Sequence, residues 1–88
     1  MPIISQFYGI IVKMFFHDEN KHHSKHIHVE YAGYDATFDL QGNILTGEIP
    51  RKQKKLVEAW IIIHREELEA LWKSINEDGE YFKIAPLR

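Results

Sequence analysis

Two stretches of the chain alternate strictly between apolar and polar residues, His26 to Tyr31 and Tyr34 to Leu40, with Ala32-Gly33 between them. Period two marks a half-buried strand, and a short link of small residues makes the two runs a hairpin. Alternation sets Ile27, Val29 and Tyr31 on one face and His26, His28 and Glu30 on the other. In the second run Tyr34, Ala36, Phe38 and Leu40 oppose Asp35, Thr37 and Asp39. A two-residue loop at Ala32-Gly33 pairs Tyr31 with Tyr34, Val29 with Ala36 and Ile27 with Phe38. The polar pairs are then Glu30 with Asp35, His28 with Thr37 and His26 with Asp39. Alanine is poor where φ must be positive, and a three-residue loop ending at Gly33 is the usual alternative. That loop mixes the two faces and loses core burial, so the even loop is expected.

The second strong pattern is helical. After Pro50, a helix is expected from about Arg51 to Asn76, ended by Gly79. At 100° per residue, Val57, Trp60, Ile61, His64, Leu68, Leu71, Trp72 and Ile75 fall within an arc of roughly 120°. Leu56, Ala59, Ile63 and Ala70 form a weaker row on an adjacent flank, and Ile62 stands apart from both. One buried stripe suffices for a monomer, so the extra aliphatic surface points to a protein partner or a second copy of the chain. Scattered exposed apolar side chains would leave the same trace.

The other elements are shorter. Met1 to Gln6 reads as a lead-in and Phe7 to Phe16 as a strand apolar on both faces, suited to a covered or central position. His17 to Lys25 lacks periodicity and reads as a surface loop, in which His22 and His23 are candidates for metal or anion binding. Gln41-Gly42-Asn43 is a turn, Ile44 to Glu48 a short strand, and Glu80 to Ala85 a last edge strand closed by Pro86. The expected architecture is α+β: a small antiparallel sheet of three to five strands with one long amphipathic helix packed on one face. Residues 1–88 make one domain.

Composition narrows the class. Apolar residues are 44% and charged residues 27%, as in an ordinary folded chain. A chain of 88 residues buries only about 60–65% of its unfolded surface, so self-association would add useful stability. Cysteine is absent, which excludes disulfides and thiolate metal sites. The N-terminal apolar run lacks the layout of a signal peptide, and no stretch reaches the length of a membrane span, so a cytoplasmic protein is expected. The net charge of −2 with His neutral gives no global field for nucleic acid.

Three groups carry candidate chemistry. His26 and His28 sit on one strand face, about 6.5–7 Å apart at Cα. With Asp39 opposite His26, they could hold a divalent, zinc-like metal or form an acid–base pair. His64 is a secondary ligand candidate. If the helix covers the Ile27, Val29, Phe38 face, the sheet separates it from the other two. Arg51, Lys52, Lys54 and Lys55 crowd the positive end of the helix. Each costs a few tenths of a kcal/mol there, but together they could bind an anion or nucleic acid. No phosphate-binding glycine loop, dinucleotide fingerprint or nucleophile elbow is present.

Several spaced segments bear a family resemblance. They are Phe7-Tyr8-Gly9-Ile10-Ile11-Val12-Lys13-Met14, His26-Ile27-His28-Val29-Glu30-Tyr31, Gly47-Glu48-Ile49-Pro50, Leu56-Val57-Glu58-Ala59-Trp60 with His64, Glu67-Leu68 and Trp72, and Ile84-Ala85-Pro86-Leu87. The chain resembles the bacterial domain-of-unknown-function family 4160 over nearly its whole length. Many of those relatives carry proline where this chain has Lys25. The resemblance implies a small α+β protein of unknown activity, often encoded beside another small protein in a layout like a toxin–antitoxin pair. His26, His28, Tyr31, Trp60, His64 and Trp72 match the family pattern. The leading expectation is a protein-interaction component of such a pair. The alternatives are a metal-dependent hydrolase or nuclease using the His-x-His face, and a weak nucleic-acid binder.

Overall fold

The structure, a computed structural model, describes residues 2–15 and 25–87. Phe16 and the polar stretch with His22 and His23 lie outside the described residues. Five strands form one sheet in sequential order, every neighbouring pair antiparallel. They are β1 (Ile3–Phe7), β2 (Ile10–Lys13), β3 (His26–Tyr31), β4 (Tyr34–Asp39) and β5 (Ile44–Gly47). Helix α1 (Arg51–Ile63) and helix α2 (Arg65–Lys73) follow, and a single π turn (Ser74–Asp78) extends α2. Among the described residues, no helix is long and apolar enough to cross a membrane.

The β3–β4 hairpin takes the even register. Tyr31 faces Tyr34, Val29 faces Ala36, Ile27 faces Phe38, and His26 faces Asp39. Ala32 carries the penalty foreseen for it: its φ is +46° and that of Gly33 is +86°. Positive φ at both central residues is the backbone of a type I′ turn, whose twist matches the strands it joins. Burial of Ile27, Val29, Ala36 and Phe38 outweighs the strain at one alanine.

The expected strand from Phe7 to Phe16 is instead two strands. A second tight turn at Tyr8-Gly9, with φ of +50° and +79°, folds β1 back onto β2. The supposed lead-in is therefore most of β1. Residues apolar on both faces gave no cue to a turn, and tyrosine at positive φ is uncommon. In β2 the two faces hold as expected: Ile10 and Val12 are buried, while Ile11 and Lys13 are half-buried on the other side.

The one long helix is also corrected. It breaks at His64, whose φ of −109° and ψ of 22° leave the helical region. No proline or glycine stands there. The amide of His64 still donates to Trp60 O and its carbonyl accepts from Leu68 N, so the helical phase carries across the break. The stripe survives accordingly: Val57, Trp60, Ile61, Leu68, Leu71 and Ile75 are all fully buried. These side chains join Ile4, Ile10, Val12, Met14, Ile27, Val29 and Phe38 in one core cluster. Arg65 Nε donates to Leu40 O at 3.1 Å, tying the start of α2 to the end of β4. Gly79, at φ +70°, ends the π turn.

Residues 80–85 form no strand. The segment crosses the free edge of β1 with one backbone bond, from Ile84 N to Ile4 O at 2.8 Å. Trp60 Nε1 holds it from the helix side by donating to Ala85 O at 2.8 Å. A buried indole N–H thereby finds its partner.

Candidate functional site

His26 opens β3 and is buried, 1% exposed, whereas His28 two residues on is half-buried. What covers His26 comes from α2. The Trp72 ring lies 5.2 Å from the imidazole of His26, centroid to centroid. His26 meets His28 edge-on at 5.2 Å, and His28 stacks on Phe15 at 4.1 Å. The four rings make a continuous row from the end of β2 to α2. Beside it, Lys25 Nζ reaches Glu69 Oε1 at 2.5 Å, a further link between the start of β3 and α2.

Asp39 stands opposite His26 in the ladder, but its carboxylate serves the next turn. Its Oδ1 accepts from Gln41 N at 2.8 Å and Asn43 N at 2.9 Å, and its Oδ2 from Asn43 Nδ2 at 3.2 Å. Burial pushes this carboxyl up. The backbone and side chain of Asn43, with the backbone of Gln41 and Gly42, outweigh that and hold it below the ordinary aspartate value. The arrangement is an Asx-type turn.

His64 is placed elsewhere, at the helix break. Its Nδ1 lies 2.5 Å from Glu67 Oε1, and its ring is 5.6 Å from that of Trp60. Among the described residues, no three His, Asp or Glu side chains converge where they could hold a metal ion. On the polar sheet face, Lys13 Nζ instead pairs with Glu30 Oε2 at 2.8 Å. Lys13 belongs to the face that alternation assigns it, but its partner on β3 depends on the register between β2 and β3.

The basic group begins α1. Pro50 precedes it, and among the described residues no side chain caps it and no acidic residue stands in its first turn. Arg51, Lys52 and Lys55 are exposed and Lys54 is half-buried. Steps of 100° set these four cations within an arc of about 160°, with Lys54 at its half-buried margin.

The helix flank gives the clearest surface signal. Ile63 and Ala70 are exposed, while Leu56 and Ala59 are half-buried, Leu56 against the edge of the core. Ile62, which the wheel sets apart, is 64% exposed and stands beside Ile63 at 63%. Both lie at the end of α1, with Arg65, Glu66 and Glu67 around the same hollow.

Residues 9–73 match the model of one family, "Domain of unknown function (DUF4160)". The chain belongs to the DUF4160 family. The match runs from the Tyr8-Gly9 turn through all of α2, so the sheet from β2 onward and both helices are the family domain. No curated protein and no solved structure matches the chain.

Proposed function

We propose that this DUF4160 protein is an interaction component that makes a protein–protein contact, with a partner or a second copy, through the exposed flank of α1. The setting is the two-gene, toxin–antitoxin-like module that the family resemblance implies. The observation that supports the reading is the pair Ile62–Ile63, each nearly two-thirds exposed on a helix whose opposite face is fully buried. Covering both isoleucines in a contact is worth about 2–4 kcal/mol, a useful share of a small interface. Hydrolysis at the His-x-His face has less support. The Asp39 carboxylate is held by its turn, and His26 is enclosed by Trp72 and His28.

The test is the mass of the native species by light scattering, for wild type and Ile63→Glu purified in parallel. The substitution lies on the surface, so circular dichroism should show the same fold. The expected result is a smaller species, or loss of a protein that accompanies the wild type. The same mass with the same companions would contradict the reading.

A further inference from the structure

We infer that a second copy of this chain occupies the flank, its helix antiparallel to the first. This rests on the reading of the flank as a contact surface and names its occupant. The ground is the order of charges along the exposed side of α1 and α2. The basic residues come first, with Arg51, Lys52 and Lys55 exposed. The apolar pair Ile62–Ile63 follows, then acidic Glu66 and Glu67, also exposed, with the exposed Lys73 about two turns beyond them at the end of α2.

The face is complementary to itself in only one direction. Lys55, Ile62 and Glu66 fall within about 40° of one another around the helix. The phase needed for that continues through the break, because the hydrogen bonds on both sides of His64 are kept and Leu68, Leu71 and Ile75 stay on the buried side. Lys55 and Glu66 lie about 16 Å apart along the axis, and their midpoint is within about 2–3 Å of Ile62. A two-fold axis at that midpoint brings Lys55 of each copy to Glu66 of the other. Ile62 then meets Ile62 at the centre, Ala59 leaves room beside it, and Ile63 closes one side. Parallel pairing would set the lysines against lysines. An isologous, antiparallel contact is therefore the one the charges select. One helix face is small as interfaces go, so the dimer should form reversibly with concentration and weaken with salt.

The test is sedimentation velocity of the full chain over a wide concentration range, with two charge reversals. Wild type should pass from monomer to dimer. Lys55→Glu and Glu66→Lys should each shift the transition at least about tenfold towards monomer, since each copy then meets like charge. An equimolar mixture of the two variants should dimerise again. In the mixed pair, position 55 of the first variant, now acidic, meets position 66 of the second, now basic. The native Glu66 of the first still meets the native Lys55 of the second. Both positions are exposed, and circular dichroism should show the same fold throughout. A wild type that stays monomeric overturns the second copy as occupant, while the flank reading still stands or falls on the companions lost by Ile63→Glu. A dimer indifferent to both reversals, or a mixture no more dimeric than its parts, places the contact elsewhere and also overturns the inference.

Discussion

Asp39 faces His26 across the β3–β4 ladder, yet its carboxylate turns to the backbone of Gln41 and Asn43 rather than to the imidazole. The two residues that look most like a catalytic pair thus have separate work. One closes the turn into β5 and the other packs under Trp72.

Asp39→Ala should lower stability by about 1–2 kcal/mol, since the turn amides lose their acceptor. Its pH dependence has a definite sign. Burial raises the folded carboxyl, but the hydrogen bonds from the turn outweigh it and hold the group below the ordinary aspartate range. Its contribution is complete above that range and is lost as pH falls through the folded value. Urea unfolding across the acid range should therefore show a flatter decline for the variant than for wild type. An unchanged acid slope would mean that the turn bonds contribute nothing.

His26→Ala should cost about 2–4 kcal/mol, as a large buried side chain is removed from beneath Trp72. His28→Ala, at a half-buried site, should cost less than half of that. Urea midpoints measured side by side decide it. Equal, small losses would argue that His26 is kept for chemistry rather than for packing.

How much of this could be read from residues alone varied with the range of the interaction. The hairpin register followed from strict alternation and an even loop, both local. The Tyr8-Gly9 turn escaped because it lies inside the mostly apolar run from Phe7 to Phe16, which reads as one strand. The break at His64 escaped because no helix breaker marks it. At the candidate site, the facing of His26 and Asp39 was legible. The engagement of Asp39 by its turn had a local signal, an aspartate followed by Gly42 and Asn43, which reads as an Asx turn. The burial of His26 had none, because Trp72 comes from a distant helix. The exposed pair Ile62–Ile63 was half-visible: the wheel separates the two by 100°, but the surface leaves both uncovered.

Gly47 should resist substitution more than any turn glycine. It has φ +75°, and a Cβ there would stand 2.3 Å from Asp35 O and 3.0 Å from Ala36 Cα. Gly42, at φ +96°, has open space around its Cβ position. Gly42→Ala should cost about 1 kcal/mol for conformation alone, and Gly47→Ala at least about 2 kcal/mol more for the clash with β4. Equal unfolding free energies for the two variants would contradict the packing of β5 on β4.

Trp60→Phe keeps an aromatic ring but loses the bond to Ala85 O. The segment around Ile84 should then leave the β1 edge more often. Limited trypsin digestion after Lys83 should speed up several-fold relative to wild type, while global stability falls by only about 1–2 kcal/mol. Identical digestion rates would show that the tail is held without the indole.

The proposed contact surface is the outer flank of α1 and not the His-x-His face. Amide chemical shifts of the uniformly labelled chain, followed as it is diluted from its associated form, test this residue by residue. The account predicts changes concentrated at Lys55, Ala59, Ile62, Ile63 and Glu66, with Glu30, His28 and Asp39 unmoved. Changes centred on the open sheet face, or none along α1, would contradict it.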